Sequence, residues 1–85
     1  MTDYTLTEKE ETVKHDGGDV LHITNCASFT NIGYTRLKWS SAPISDSNLG
    51  AECGTGDGAI FSAPIDIYFL TEKHDMKIQA RSETL

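Results

Sequence analysis

The amino-acid sequence predicts an all-β protein, a single small antiparallel β-sandwich or barrel of about six to seven short strands with one long loop rich in glycine and serine. Two observations predict this class. Apolar and polar residues alternate with a period of two in several short segments, which is typical of strands buried on one face. Turn-forming residues separate these segments about every eight to twelve residues, and no apolar stripe with helical spacing appears.

The charged N-terminal segment is predicted to form a strand or arm over residues 1–18, ahead of a β-sandwich domain over residues 19–85, with one domain overall. Residues 4–7 alternate as a half-buried strand does. Residues 8–13 lack a helical stripe, so we interpret them as a solvated loop or an edge strand whose charges discourage pairing between sheet edges. The paired glycines within residues 15–19 predict a tight turn.

The middle of the chain contains two predicted strands separated by an irregular segment. Residues 20–24 alternate and predict a strand, whereas residues 25–31 are irregular and predict a bend. Residues 34–39 form the clearest alternating segment in the chain. We expect the indole of Trp39, which ends this segment, to anchor the core because of its large apolar area.

The second half of the chain begins with a long loop and ends with two strands. Residues 40–59 show little periodicity and predict a functional or assembly loop that contains one short strand. After Pro64, residues 65–70 predict a strand, and residues 76–81, beyond a polar turn, predict another. The apolar residues at alternate positions of these strands are expected to face the core: Ile65, Ile67, Phe69, Met76, Ile78 and Ala80.

The balance of charge disfavours nucleic acid and membrane surfaces as partners. The chain contains 7 lysines and arginines against 13 aspartates and glutamates, a net charge of −6. Nucleic-acid binding needs clustered cations, and here the basic residues are scattered along the sequence. Anionic membranes are disfavoured for the same reason, and no apolar segment approaches the length of a transmembrane helix.

The cysteines and the first residues predict synthesis in the cytoplasm. Residues 1–4 have neither the basic nor the apolar character of a secretion signal. Cys26 and Cys53 fit no metal or redox motif, and we expect both to be reduced thiols. A disulfide between them stays open as an alternative, because an exported assembly can be oxidised after synthesis. We expect Glu52 to raise the pKa of the adjacent Cys53 thiol and to blunt its reactivity.

The sequence contains no catalytic signature and no cofactor or metal motif, so we expect a protein that is not an enzyme. The glycine-rich segment 50–58 lacks both the Lys-Ser/Thr pair and the following helix of a phosphate-binding loop, and its acids lack the spacing of a calcium loop. The histidines, His15, His22 and His74, are isolated, and we expect them to be solvated. A zinc site built from His22, Cys26 and a third ligand has no motif behind it.

Tyrosines and polar loop residues are the predicted contacts with another protein. Interfaces favour tyrosine because its ring combines apolar faces with a polar hydroxyl. Tyr34 and Tyr68 are expected on faces opposite to Trp39 and Phe69, and therefore exposed. The predicted contact residues are Tyr4, Tyr34, Asp46, Asn48, Asp57 and Tyr68.

The order of strands and loops from residue 19 to residue 83 resembles a known class of virion protein. A strand ending in Asn25 leads to a strand ending in Trp39, followed by Ser-Ser-Ala-Pro. A glycine-rich loop then closes on the sequence Gly-Asp-Gly at residues 56–58, ahead of Phe-Ser-Ala-Pro-Ile-Asp-Ile-Tyr at residues 61–68. This layout is similar to that of the small β-sandwich proteins that decorate the heads or tails of tailed bacteriophages.

The resemblance implies a non-enzymatic virion component, foremost a capsid decoration (cement) protein that binds the outside of an assembled phage head and stabilises it. Its partner would be the major capsid protein or another virion protein, its place the virion, and its state a homo-oligomer, with a trimer favoured. The N-terminal arm and the loop over residues 40–59 would make the contacts. The acidic net charge would suit basic patches on the shell and keep free copies soluble.

Two other functions stay open. A receptor- or glycan-binding module at a tail tip or fibre predicts exposed aromatic side chains, with Tyr34, Tyr68 and the glycine-rich loop at the site. Small host-directed phage proteins are also acidic, and composition does not separate them from virion proteins. A small hydrolase or a metal-dependent lyase would need a bound metal or a cleft with paired acids, and the sequence indicates neither.

Overall fold

The computed structural model describes residues 1–83 and confirms the predicted all-β class. Seven strands and no helix occur within these residues, and two of the strands are longer than the sequence predicts. The strands are β1 (Thr2–Thr5), β2 (Glu10–His15), β3 (Leu21–Asn31), β4 (Leu37–Ser40), β5 (Ala51–Cys53), β6 (Gly58–Leu70) and β7 (Met76–Arg81).

All seven strands belong to one sheet that curls into a half-barrel. The strands follow the order β2-β7-β3-β6-β4-β5, and neighbours along this path are antiparallel. β1 departs from the predicted antiparallel pattern, because it pairs in parallel with β3 from Leu21 to Thr24. β7 pairs with β3 from Ser28 to Asn31, so β3 has two partners in succession besides β6.

β3 bends sharply at Asn25 but does not end there. Residues 25–31 continue the strand, which corrects the predicted end of the strand at Asn25. The predicted bend is present, because two register shifts against β6 occur between Ile23 and Ser28. Asn25 has a φ of 69°, in the left-handed region that asparagine tolerates better than most residues. Such bulges bend a strand and increase its twist, which allows one strand to serve both halves of a curled sheet.

β6 runs through Pro64, where the sequence predicts an interruption. Between the pairs Ser28–Ile60 and Cys26–Ile65, β6 has more residues than β3, so the residues around Pro64 bulge out of the ladder. Proline has no backbone N–H and is compatible with a strand at such an unpaired position. The bulge in β6 faces the bend in β3, and the two strands curve together.

The core lies on the inner face of the curled sheet, at the alternate positions that the sequence predicts. Ile67, Phe69, Ile78 and Ala80 are fully buried, and Met76 is nearly so, whereas Ile65 is half-buried. The core cluster also includes eight residues from earlier in the chain: Leu6, Val13, Leu21, Ile23, Cys26, Phe29, Leu37 and Cys53.

Phe29, and not Trp39, is the central aromatic residue of the core. Trp39 is half-buried and packs against the rim of the cluster, which corrects its predicted role as anchor. The Phe29 ring meets Phe69 edge-on at 4.8 Å and Trp39 edge-on at 5.4 Å between centroids. Edge-to-face pairs at these distances stabilise an aromatic cluster beyond the area that they bury.

β4 begins at Leu37, three residues later than predicted, because the side chain of Asn31 holds the preceding segment as a loop. The Asn31 Nδ2 donates to the carbonyl oxygens of Thr35 (2.9 Å) and Cys53 (3.3 Å). The Asn31 Oδ1 accepts from the Gly33 N–H at 3.1 Å. A buried amide whose donors and acceptor are satisfied by backbone groups fixes a non-strand conformation there.

The long loop contains one short strand, as predicted, and its fold depends on Asn48 and Gly58. The Asn48 Nδ2 donates to Ser40 Oγ at 3.0 Å and to the Pro43 carbonyl oxygen at 3.0 Å, which closes the loop ahead of β5. At Gly58, where β6 begins, a Cβ atom would lie 1.9 Å from the carbonyl oxygen of Phe29. No side chain fits at this position without moving β3.

The charged N-terminal residues pair within the sheet. β2 is an edge strand paired with β7, which confirms the edge-strand alternative for residues 8–13. β1 begins before the predicted strand and ends before Leu6, whose side chain is buried. The Glu11 carboxylate joins β1 to β2, because it accepts hydrogen bonds from the Tyr4 hydroxyl and from the backbone N–H groups of Thr7 and Glu8. These bonds, with the hydroxyl of Tyr4 the largest cause, lower the pKa of Glu11 below its usual 4.5.

We expect the Tyr4→Phe substitution to reduce stability in a pH-dependent way. A lowered folded-state pKa adds stability that is present above the ordinary pKa of a glutamate and is lost as the pH falls through the folded value. Removing the hydroxyl returns the pKa of Glu11 toward 4.5, so the variant loses stability at about pH 6 and loses little at about pH 3. Urea unfolding followed by Trp39 fluorescence measures the difference.

Tyr34→Phe is the matched control, since the Tyr34 hydroxyl makes no hydrogen bond within residues 1–83. The stability of this variant should equal that of the wild type at both pH values. An equal loss for Tyr4→Phe at both pH values would contradict the role of the Glu11 carboxylate.

Candidate functional site

Three connections meet at one end of the curled sheet: the β2–β3 turn, the β3–β4 loop and the β6–β7 turn. The Gly18 N–H of the β2–β3 turn donates to the Thr71 carbonyl oxygen at 2.7 Å. A Cβ atom on Gly17 would lie 2.6 Å from the His74 carbonyl oxygen, so the two turns touch at a position that admits only glycine. Both turns are those that the sequence predicts, and they form a fixed base for the side chains around them.

Tyr34 projects from the β3–β4 loop at this end of the sheet and is the most exposed large hydrophobic residue of the described part of the chain, with a relative exposure of 104%. The loop conformation that Asn31 fixes presents it. Its predicted exposure is confirmed, although Tyr34 lies in a loop and not on a strand face. Tyrosine is enriched among the residues that dominate binding at protein interfaces.

Three connected hollows surround Tyr34, and together they form what we call the Tyr34 groove. The first hollow, about 340 Å³, lies between the β3–β4 loop, β4 and the β6–β7 turn. The second, about 270 Å³, lies between the end of β2, the Gly33–Tyr34 backbone and the start of β7. The third joins them, because it shares Thr35 and His74 with the first and Tyr34 and Asp75 with the second.

The fold collects the scattered cations around this groove, which corrects the impression given by the sequence. Five of the seven lysines and arginines line it: Lys14, Arg36, Lys38, Lys73 and Lys77. Four acids share the lining: Asp16, Glu52, Glu72 and Asp75. The rest of the chain has two cations against nine acids. The lining of the groove therefore has a net charge of +1, whereas the rest of the chain has a net charge of −7, and cations beside an exposed aromatic ring suit anionic groups.

The cations of the groove are weakly held by their own chain. Arg36 lies 3.7 Å from the Glu52 carboxylate and Lys38 lies 3.4 Å from the Glu72 carboxylate, and both acids are well exposed. Exposed ion pairs of this kind contribute about 0–1 kcal/mol, so Glu52 and Glu72 hold these two cations only weakly. Among residues 1–83, Lys73 and Lys77 make no ion pair.

The other predicted contact residues lie away from the groove. The Tyr4 hydroxyl is bound to Glu11, and the Asn48 amide is bound within its own loop. Asp46 is exposed in that loop, and Asp57 is exposed in the turn before β6, where its carbonyl oxygen accepts from the Asn31 N–H. Tyr68 is half-buried on the outer face of β6, opposite in orientation to Phe69 as predicted.

A polar row on the outer face of the sheet contains His22, for which the predicted solvation is wrong. His22 lies between Asp3 and Tyr68 in the ladder and stacks on the Tyr68 ring at 4.5 Å with an interplanar angle of 7°. Its Nδ1 is 3.0 Å from Asp3 Oδ1 and its Nε2 is 3.4 Å from Asp66 Oδ2. The ring thus links β1, β3 and β6, which is a structural role in the sheet.

The structure also gives the surroundings of the two other histidines and of the residues considered for a zinc site. His15 is half-buried, with its Nε2 3.0 Å from the Asp19 carbonyl oxygen, so its predicted solvation is also wrong, whereas His74 is exposed in the β6–β7 turn as expected. Cys26 is fully buried, and its thiol donates to the Ser28 carbonyl oxygen. No group of three His, Cys, Asp or Glu side chains in residues 1–83 is arranged to hold a metal ion.

Both cysteines are unpaired and buried in the core. Burial raises the pKa of the Cys26 thiol to about 11. Burial also raises the pKa of the Cys53 thiol, with a smaller effect from the charge of Asp57. The direction for Cys53 is the predicted one, but the acid is Asp57 and not the adjacent Glu52, which faces Arg36. Thiols in this state are structural residues, since the thiolate is the nucleophile.

We expect both thiols to react with a disulfide reagent at about pH 8 at least roughly 100-fold more slowly than free cysteine, because each must first be exposed by opening of the core. The rate should rise with urea in parallel with unfolding. A Cys53→Ala variant isolates Cys26 and serves as the control for which thiol reacts. Rapid labelling of the folded protein would contradict the buried, protonated state of these residues.

No family model, no curated protein and no solved structure matches this chain. Within residues 1–83, no helix is long and apolar enough to cross a bilayer.

Proposed function

We propose that this protein is a non-enzymatic binding subunit that docks the Tyr34 groove onto a larger protein surface, and that this surface is the outside of an assembled phage head. The observation that supports it most is the fully exposed Tyr34 in the middle of a groove that is lined by five of the seven lysines and arginines. The docking surface belongs to the major capsid protein or another virion protein, as the resemblance of the strand and loop order implies.

The charge distribution defines the chemistry of the docking surface. The sequence favours basic patches on the shell, because the whole chain is acidic. The groove has the opposite character, since its cations outnumber its acids by one and the rest of the chain is left with a net charge of −7. A docking surface with carboxylates therefore suits the groove, and the acidic remainder keeps copies from aggregating on the shell.

Burial of Tyr34 gives this contact its affinity, and the cations give it orientation. An exposed tyrosine that enters a pocket on the partner buries apolar ring area, and such residues are frequent hot spots. Exposed lysines contribute mainly to the association rate and to the dependence on salt. The mechanism of stabilisation is added buried area between neighbouring capsid subunits, with no chemical step.

We expect the purified protein to co-sediment saturably with assembled heads from its source. Tyr34→Ala should weaken this binding about ten-fold or more, and Lys73→Glu should weaken it in a way that is largest at low salt. The measurement is the bound fraction as a function of protein concentration at two salt concentrations.

Ile60→Ala and Lys9→Glu are the matched controls, because they make similar changes at exposed positions outside the groove and should bind as the wild type does. A wild-type protein that remains in the supernatant at all concentrations would overturn the proposal. Equal losses in Tyr34→Ala and Ile60→Ala would overturn the assignment of the groove.

A second function, glycan binding at a tail tip or fibre, is favoured by the same exposed ring, because flat aromatic faces beside polar side chains suit sugar rings. If this function is the true one, oligosaccharides should shift the amide signals of the β3–β4 loop saturably, and Tyr34→Ala should abolish the shift. Tyr68→Ala is the control, since Tyr68 is covered by His22. Saturable head binding without any effect of oligosaccharides would overturn this alternative.

A further inference from the structure

The outer edge of β2 is unpaired, and it lies apart from the β5 edge at the other end of the sheet. β2 is the first strand in the sheet order and pairs only with β7. Within residues 1–83, no backbone hydrogen bond outside the sheet ladder reaches residues 10–15. Free strand edges are templates for pairing with another chain unless they are blocked.

The register shows which backbone groups of β2 point outward. The Ser82 N–H donates to the Lys9 carbonyl oxygen, and these residues are opposite each other in the extension of the β2–β7 ladder. Hydrogen-bonded pairs recur at every second residue of an antiparallel ladder, so Glu11, Val13 and His15 face β7. The N–H and C=O groups of the three remaining residues, Glu10, Thr12 and Lys14, therefore point to the free edge.

The side chains of these three residues are also exposed, on the outer face of the sheet. Lys14 lies directly opposite Lys77 of β7 in a pair that is not hydrogen-bonded, where side chains approach most closely. Like charges opposite each other destabilise a sheet, and neither lysine has an acidic partner within residues 1–83. The edge thus has an acid at one end, Glu10, which lies 3.3 Å from Arg81 of its own chain in an exposed ion pair, and an uncompensated base at the other end.

We infer that two copies of this chain associate through their β2 edges, antiparallel and about a two-fold axis at Thr12. In this register Glu10 of each copy is opposite Lys14 of the other, and the two Thr12 residues are opposite each other. The three pairs, Glu10–Lys14, Thr12–Thr12 and Lys14–Glu10, each use the outward N–H and C=O groups and exchange two hydrogen bonds. Each Lys14 gains the carboxylate that its own chain does not supply, and the same patch serves both copies.

A shift of one or of two residues in either direction loses both Glu10–Lys14 pairs. A shift of one residue would turn one copy over relative to the other, so that the core face of the first copy would lie on the same side as the outer face of the second. A shift of two residues that centres the axis on Val13 would set Glu10 against Asp16, a pair of like charge. The edge charges, which the sequence suggests as a barrier to pairing, therefore block wrong registers and favour one.

Charge reversal with restoration tests the inference in the free protein, independently of any binding to phage heads. By analytical ultracentrifugation the wild type should form a dimer whose dissociation constant rises with salt. Lys14→Glu places two acids opposite each other and Glu10→Lys places two lysines opposite each other, so each should weaken dimerisation ten-fold or more. The double variant with both substitutions should dimerise again, and an equimolar mixture of the two single variants should form a heterodimer.

Two further variants separate pairing from folding. Lys14→Glu places an acid opposite Lys77, so its monomer should unfold at a urea concentration no lower than that of the wild type. Thr12→Pro removes an N–H that points to the free edge and should abolish the dimer while the β2–β7 ladder remains. Lys9→Glu, an equal change of charge outside the three pairs, should dimerise as the wild type does.

The result that overturns the inference is a wild type that stays monomeric up to roughly 1 mM, or a dimer indifferent to all three edge variants. A trimer, which the resemblance favours, would also overturn it, because a two-fold edge contact closes at two copies. Each of these results leaves the proposed docking of the Tyr34 groove intact, since that depends on head binding by Tyr34 and Lys73 and not on association of the free protein.

Discussion

The bend of β3 at Asn25 is the constraint on which the rest of the structure depends. β1, β6 and β7 all pair with this strand, and the two halves of the strand have different partners on one side. A residue with positive φ at the change of partner allows the same strand to enter two differently oriented parts of the sheet. The curl of the sheet, the enclosed core and the meeting of three connections at one end follow from this bend.

The sequence predicts those parts of the fold that depend on local alternation. The sequence predicts β7 and the second half of β6, together with the residues that face the core. In these segments apolar and polar residues alternate, and the apolar face is the buried one. The continuation of β3 and the late start of β4 were not predictable, since they depend on a bulge and on the long-range bonds of Asn31. Tyr34 is identifiable as an exposed contact from its residue type, but the cations around it come from four separate segments that only the tertiary structure brings together.

The charged residues have different consequences in the composition, in the folded protein and along the single strand β2. In the composition, they give an acidic chain with a net charge of −6, for which nucleic acid is a disfavoured partner. In the fold, the cations collect at one end and leave most of the acidic charge elsewhere. Along β2 alone, an acid and a base stand at opposite ends of one free edge. Exposed charges arranged in this way contribute little to the free energy of unfolding. In a complex, such charges act mainly on the orientation of the partner.

The order in which the strands are synthesised gives the bend in β3 a consequence for biogenesis. The residues of β3 are made early, but their antiparallel partners, β6 and β7, lie between Gly58 and Arg81. An emerging chain that ends before these strands has β1 and β3 but no enclosed core. Within this chain β3 has β1 as its partner from Leu21 to Thr24, and its pairing with β6 and β7 forms only after those strands are translated. The long loop between β4 and β6 is mostly polar, so it adds few apolar residues to the incomplete chain. The sheet then forms in one late, cooperative step once β7 is available.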